Sequence, residues 1–323
     1  MADGISGLDT SKSGKRPVPH AWQLGRYALL VALSAVVVIT AIGNPRFLST
    51  TNLLNILFQV STLGIVAAGQ TTLLIAGGLD LSIGASLSVA GLAAGLTILA
   101  TGSTALGVLA GLATGTLIGL VNGVLCASNR ANPFIITLGT MTFLQGIAII
   151  ISGGSPINGA GALFEIFGLG STFGIPNPVY VFVAVLVAIW FFLRRVMLGR
   201  YAFALGGNEE AARLSGVPVR RVKIGLYALN GLIVGIGAVV LTGMLDSALP
   251  SMGTGYELRA IAAVVIGGTP LSGGRGSVLG TLGGVLLLGL VSNSMNLLGV
   301  GANYQSAVLG FIITAAVLLQ RRS

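Results

Sequence analysis

Residues 199–223 read GRYAFALGGNEEAARLSGVPVRRVK, and they concentrate charge in a chain that is otherwise almost free of it. Asn208 suits a helix N-cap, Glu209 follows in the first turn, and Gly216 suits the position just after the last turn. We therefore predict a short capped helix here and call residues 196–223 the island. Long apolar stretches lie on both sides of the island, so it reads as a cytoplasmic loop that either docks a soluble partner or only connects two spans.

The composition excludes a soluble protein. The chain has 323 residues, of which 54% are apolar and 8% are charged, and its mean hydropathy is +0.96. Soluble domains carry about a quarter charged residues, so we predict an all-α, polytopic helical membrane protein. The net charge of +9 is spread between apolar stretches rather than along one face. It therefore indicates orientation in the membrane and no nucleic-acid partner.

Several classes of chemistry have no residues to support them. Cys126 is the single cysteine and His20 the single histidine, so the sequence predicts neither a disulfide nor a Cys–His metal site. The chain contains no Walker A motif, so it does not use ATP through a P-loop of its own. We expect no cofactor, no metal and no catalytic residues, which argues against a membrane-embedded enzyme.

The charge-free intervals predict about ten membrane spans of roughly 20 residues. The positive-inside rule places the N-terminal tail, Arg130, the island and Arg321 in the cytoplasm, and an even number of spans on each side of the island satisfies this. The predicted spans are 27–45, 47–79, two within 81–129 that turn near Thr101, Gly102 and Ser103, 133–152, 179–193, 224–245, 252–272, and two within 276–320 that turn near 293–303.

The least regular predicted span is 252–272, which we expect to cross as a short or broken helix with Glu257 and Arg259 near its outer end. Residues 1–23 form a polar cytoplasmic tail that we predict to be disordered, and residues 24–323 form a single transmembrane domain. An uncleaved first span explains the basic tail better than a signal peptide does.

Glycine spacing predicts close helix packing and a possible internal repeat. The pattern G-G-x-x-L-S-x-G occurs at 77–84 and again at 267–274, and paired glycine-broken segments in two halves of a transporter indicate internal symmetry. Glycines also recur at every fourth position, which forms a smooth helix face that another helix can approach. They are Gly107, Gly111, Gly115, Gly119 and Gly123, with a weaker set at Gly276, Gly280 and Gly284.

Polar residues inside apolar spans are candidates for a translocation path, because such groups are costly in lipid. Asp80 has two interpretations. It is either the N-cap of the next helix, which we favour, or a residue that lines the path. Amides suit sugar hydroxyl groups, but they also bond neighbouring helices. The candidates are Gln70, Asp80, Asn122, Asn230 and Asn293.

Four stretches resemble a known family, the permease subunits of bacterial ribose/xylose/galactose-type ABC importers. The resemblance extends over nearly the whole chain from about residue 25, with the motifs in matching order. The stretches are GGLDLSIG at 77–84, NPFIITLGTM at 132–141, GGNEEAARLSGV at 206–217 and RAIAAVVIGGTPLSGGRGS at 259–277.

The resemblance implies partners and a role for the island. It implies a multi-pass permease of the bacterial inner (cell) membrane that pairs with a second copy as a homodimer. Two cytoplasmic ABC ATPase subunits and a periplasmic substrate-binding protein complete the importer. The residues that would meet the ATPase are Gly206, Gly207, Asn208, Glu209, Glu210, Ala211, Ala212, Arg213, Ser215 and Gly216.

Two alternatives remain open from the sequence. The chain could be a secondary carrier or channel for a small polar solute, although it lacks the intramembrane acids that a proton-driven carrier often has. It could also be an ABC permease for a non-sugar solute, because related permeases carry amino acids and nucleosides.

Overall fold

The computed structural model describes residues 21–128, 132–159 and 161–301, with scattered positions between 304 and 314. The fold is built from helices joined by short connections. The helices are α1 Ala21–Gly43, α2 Thr50–Ile75, α3 Ile83–Thr101, α4 Thr104–Cys126, α5 Pro133–Ser152, α6 Asn177–Arg195, α7 Met197–Gly207, α8 Glu209–Leu214, α9 Val219–Leu245, α10 Tyr256–Ile266 and α11 Val278–Leu297. A 3-10 turn spans Pro45–Leu48, a π-helical turn spans Phe164–Leu169, and the two-residue strands are β1 Ile157–Asn158, β2 Ser171–Thr172, β3 Ile175–Pro176 and β4 Ser247–Ala248.

The prediction of a polytopic helical membrane protein is confirmed. Within the described residues, seven helices are long and apolar enough to cross a membrane, and α1 adds a shorter apolar stretch, Leu29–Gly43. The predicted turn between α3 and α4 is present, with Gly102 in the left-handed conformation at φ +66°. The second span predicted within 276–320 lies largely outside the described residues, as do Arg130, Arg321 and the predicted tail apart from residues 21–23, which begin α1.

The glycine face of α4 packs directly on α9, as its spacing predicts. A Cβ added to Gly115 would lie 2.5 Å from the carbonyl oxygen of Gly231, and one added to Gly119 would lie 2.9 Å from the Cα of Gly231. The two backbones therefore touch, which gives dense packing without large side chains. Two members of the weaker glycine set pack α11 closely on α10. Gly280 faces Gly267, and Gly284 faces Ala263.

The two ends of the helix bundle differ in construction. At one end, β1 pairs with β4 in an antiparallel register that joins Ile157 to Ala248. This pairing brings the connection after α5 together with the connection after α9. At the opposite end, the island lies against the end of α2 and the connection between α10 and α11.

The predicted span 252–272 is not one continuous helix, because only Tyr256–Ile266 is helical. We call residues 246–277, which include this span, the interrupted crossing. Its helix, α10, has only 11 residues and is about 16 Å long, whereas the hydrocarbon core is about 30 Å thick. Glu257 lies beside Gly84, in the first turn of α3, about three helical turns from Gly95, which lies beside Ala248 of β4. The expectation that Glu257 and Arg259 lie near the outer end is therefore wrong.

Candidate functional site

The capped helix predicted in the island is α8. Asn208 Oδ1 accepts a hydrogen bond from the Ala211 N–H at 2.9 Å, which makes Asn208 the N-cap. After the helix, Gly216 has φ +83°, and the Val217 N–H donates back to the Ala212 carbonyl at 3.0 Å. These are the signals that the sequence carries for a helix start and a glycine-terminated end.

The acidic residues of α8 are partly engaged within the chain. Lys223 Nζ lies 2.9 Å from Glu209 Oε1, so Glu209 ties α8 to the start of α9. Arg213 lies 3.3 Å from Glu210, but both side chains are largely exposed, and such surface pairs stabilise little. Leu214 is 81% exposed. Glu210, Arg213 and Leu214 therefore form the free surface of α8.

The helix that leads into α8, which is α7, was not predicted from the sequence. Its last turn packs against the ends of two membrane helices through Gly206. A Cβ on Gly206 would overlap the carbonyl oxygen of Ile75 and the backbone nitrogen of Gly274. Gly207, the next residue, has no such neighbour among the described residues. The G-G pair opens the GGNEEAARLSGV motif, and its first glycine is the one that the packing requires.

The two G-G-x-x-L-S-x-G turns meet at this same place. The Gly274 N–H donates to the Ile75 carbonyl at 2.9 Å, and a Cβ on Gly273 would lie 2.7 Å from the Gly77 nitrogen. We call this junction of Ile75, Gly77, Gly206, Gly273 and Gly274 the glycine contact. It joins the island to the end of α2 and to the connection between α10 and α11 through backbone atoms.

Three of the five candidate path residues form one buried cluster. Asn230 Nδ2 donates to Asp80 Oδ2 at 3.1 Å. Asn122 Nδ2 donates to Ser82 Oγ at 2.8 Å and reaches Asp80 Oδ1 at 3.5 Å. Thr140 donates to Asn122 Oδ1 at 2.8 Å. The cluster connects the α2–α3 turn to α4, α5 and α9.

Asp80 is not the N-cap of α3, as we favoured, but lies two residues before it and binds the start of the helix through Ser82. Its Oδ1 accepts from the Ser82 N–H at 2.8 Å and from Ser82 Oγ at 2.6 Å, whereas Ser82 itself occupies the N-cap position. Asp80 is 3% exposed and lies outside the two adjoining helices. Burial raises the pKa of its carboxyl group, and the hydrogen bonds from Ser82, Asn230 and Asn122 oppose that rise.

The other two candidates lie apart from this cluster. Asn293 and Asn52 exchange two hydrogen bonds, at 2.9 and 3.0 Å, between α11 and α2. Gln70 is fully buried in α2, and within the described residues neither of its amide atoms has a hydrogen-bond partner. Asn293 is therefore satisfied by a neighbouring helix, and Gln70 is not.

Comparison with known proteins gives consistent results along the chain. Residues 52–317 match the family model described as branched-chain amino acid transport system / permease component. The chain is 41% identical over 314 residues to the ribose import permease protein RbsC of Escherichia coli K12, a match that covers 96% of this chain and 98% of that protein. The Bacillus subtilis ribose import permease protein RbsC is 43% identical over 294 residues, which is 90% of this chain and 91% of that protein. The L-arabinose transport system permease protein AraH of Escherichia coli K12 is 38% identical over 321 residues, which is 98% of this chain and 97% of that protein.

Proposed function

The chain belongs to the family of branched-chain amino acid transport system permease components, and from that premise we propose that the solute it carries is a pentose-class monosaccharide. It is the non-catalytic permease subunit of a sugar ABC importer and a multi-pass protein of the inner membrane. The observation that carries the choice of solute is the full-length similarity to permeases whose names specify ribose and L-arabinose.

Uptake by the reconstituted importer tests the solute. The permease is placed in vesicles with its ATPase and its binding protein, and labelled D-ribose, L-arabinose and L-leucine are offered in turn. We expect ATP-dependent accumulation of a pentose and none of leucine. Accumulation of leucine alone would overturn the sugar assignment and keep the importer class. Pentose accumulation without ATP would instead favour a secondary carrier.

We propose that the free surface of α8 docks the ATPase. Glu210, Arg213 and Leu214 project from a helix whose start is held by Asn208 and whose Glu209 is tied to Lys223. An exposed leucine ringed by charges is the composition of a small binding patch. The glycine contact then connects the docked helix directly to the end of α2 and to the connection between α10 and α11.

Removing the apolar part of α8 tests this docking. Leu214→Ala should lower ATPase co-purification by about tenfold, because burying a leucine side chain contributes about 1.5–3 kcal/mol and about 1.4 kcal/mol is a factor of ten in affinity. The matched control is Leu271→Ala, since Leu271 is also exposed, at 47%, and lies in the 267–274 turn rather than on α8. Equal ATPase retention by the two variants and by the unaltered permease would remove α8 from the interface.

Backbone strain gives an independent test of the same surface. Gly216→Val forces a β-branched residue to φ +83°, which only glycine adopts readily. The variant should insert and pair normally but lose substrate-stimulated ATP hydrolysis. Normal stimulated hydrolysis would show that the exit from α8 is not part of coupling.

We propose that four of the five candidate path residues stabilise the fold rather than contact the solute. Asp80, Asn122 and Asn230 belong to one hydrogen-bonded cluster, in which only Asn230 Oδ1 has no partner within the described residues, and Asn293 is paired with Asn52. Among the five, only Gln70, whose amide has no partner within the described residues, stays a candidate for the path.

We further propose ten spans with both ends in the cytoplasm, in a homodimer. Labelling by a membrane-impermeant thiol reagent tests the sidedness in a Cys126→Ser background. Phe173→Cys, at a position that is 96% exposed, should react from outside, and Glu210→Cys should react only from inside. Reaction of both from one side would overturn the topology, and cross-linking of the purified permease tests the second copy.

A further inference from the structure

The interrupted crossing contains non-helical backbone at membrane depth. The Gly253 N–H donates to Ser88 Oγ at 3.1 Å, and Ser88 lies in the second turn of α3, which spans Ile83–Thr101. The segment between β4 and α10 therefore runs alongside a membrane-spanning helix. In lipid, such backbone is tolerated only where it is buried in protein or lines a water-filled cavity.

The packing of α10 on α11 gives the depth of Arg259 independently. Gly267 faces Gly280, and Ala263 faces Gly284, so the two helices run antiparallel in equal steps of four residues. Arg259, four residues before Ala263, is then level with about residue 288. Because α11 spans Val278–Leu297, Arg259 lies near the middle of the span.

Polar side chains on this crossing are nevertheless exposed. Ser251, Thr254 and Arg259 are all exposed, and Arg259 makes no ion pair with any residue that the structure describes. An ionised side chain at mid-membrane faces a cavity or a partner rather than lipid. The opposite side of α10 is apolar and buried, with Ala260, Ala263 and Val264 against its neighbours.

We propose that Ser251, Thr254 and Arg259 line the translocation path and that Arg259 donates hydrogen bonds to the hydroxyl oxygens of a passing neutral sugar. This inference rests on the proposed function for the class of solute. Arginine offers five N–H donors and no acceptor, while serine and threonine hydroxyl groups both donate and accept. Together they match the acceptor-rich surface of a polyol without requiring the solute to be charged. The path thus runs along the interrupted crossing and does not pass through the Asp80 cluster, whose side chains are buried and bonded to one another.

Thiol reactivity tests the location without knowledge of the solute. Ser251→Cys, Thr254→Cys and Arg259→Cys are made singly in a Cys126→Ser background within the complete importer. The importer is then treated with a small, charged, membrane-impermeant methanethiosulfonate. The control is Val187→Cys, since Val187 is 58% exposed in the middle of α6 and flanked by apolar residues. The three path positions should react at least about tenfold faster than the control, because the thiolate that reacts forms in water and not in hydrocarbon.

Two results would overturn the proposal. The first is that the thiol of the Arg259→Cys variant reacts as slowly as the thiol of the Val187→Cys variant, in protein that still retains its ATPase. The other is spontaneous disulfide formation between the Arg259→Cys residues of two permease copies, which would make Arg259 a dimer contact.

The role of the guanidinium group is tested by uptake of D-ribose and L-arabinose. Arg259→Leu should raise the KM for permease-limited uptake about tenfold, and Arg259→Lys, which keeps donors, should recover part of the loss. Unchanged uptake by Arg259→Leu would exclude contact with the solute. If the unaltered importer takes up neither sugar, the proposed solute is wrong, while the thiol reactivity still decides the position of the path.

Discussion

The turn at 77–84 and the turn at 267–274 share one sequence pattern and differ in their surroundings. Each ends a helix with a left-handed glycine, Gly77 at φ +74° and Gly268 at φ +91°. In each, the glycine and the following residue donate back to the last helical turn. The same type of helix end therefore occurs twice, but the left-handed residue is the first glycine of the pattern in one turn and the second glycine in the other.

Beyond the helix end, the two turns differ in burial. In the first turn, Asp80 and Leu81 are buried, with Leu81 only 7% exposed. In the second, Pro270 occupies the position of Asp80 in the pattern, and the leucine, Leu271, is 47% exposed. The pattern therefore supplies a glycine that ends the helix, and the turn that also holds a buried carboxylate with bonded partners is the buried one.

The largest expected effect comes from removing that carboxylate. Asp80→Leu leaves the Ser82 N–H and the Asn230 amide without their acceptor in a buried site. The free energy of unfolding should fall by about 3 kcal/mol, because each unsatisfied buried group costs about 1–3 kcal/mol. Thermal unfolding and the yield of folded permease measure the loss.

Pro270→Leu, at the matching position of the other turn, is the control for Asp80→Leu. It should change the free energy of unfolding by about 1 kcal/mol or less, since no buried partner within the described residues loses its acceptor. Equal losses would contradict the contrast between the turns. Normal yield of Asp80→Leu with uptake abolished would place Asp80 on the path after all.

The glycine contact, where both turns meet the island, should give an intermediate effect. Gly206→Ala places a methyl group on backbone atoms of Ile75 and Gly274, and such overpacking costs about 2 kcal/mol. We expect uptake and substrate-stimulated ATP hydrolysis to fall while the ATPase still co-purifies, because the free surface of α8 is unchanged.

Gly207→Ala is the matched control, one residue away, where no atom of the described residues lies within 4 Å of the added methyl group. It should behave like the unaltered permease in uptake and hydrolysis assays. If the two variants lose activity equally, the two turns and the island are not coupled through Gly206.

The smallest expected effect separates charge from hydrogen bonding in the first turn. Asp80→Asn keeps an acceptor for Ser82 but turns an amide N–H₂ toward Asn230. Asn230 Oδ1 has no partner within the described residues, so a flip of the Asn230 amide restores the bond. The loss should be about 1 kcal/mol, measured by thermal unfolding. A loss as large as that of Asp80→Leu would show that the charge itself is required.

Many local features were predictable from the sequence. The α5 boundaries, the turn at Gly102 and the cap of α8 follow from charge-free length, glycine position and the Asn208 side chain. The glycine face of α4 was predictable as a packing surface, because small residues at every fourth position have little other use in a membrane helix.

The site was less predictable than the fold. Asp80 and Asn230 are 150 residues apart in the chain, and no local pattern predicts that pair. The sequence also did not predict that the island contacts both turns. Nothing in the Gly206-Gly207 pair indicates which of the two glycines packs against a neighbour. Arg259 was predicted near the outer end, because charge counting places basic residues by side and not by depth.

The sequence by itself determined the membrane class, most span boundaries and the capped helix of the island, because these depend on solvation of single segments and on hydrogen bonds within one turn. Only the tertiary structure decided which buried polar groups pair, where the interrupted crossing runs and which glycine bears the contact between the island and the two turns. Those outcomes depend on which distant backbones approach within a few ångströms of each other. A neutral glycine or amide does not specify its partner until the whole bundle packs.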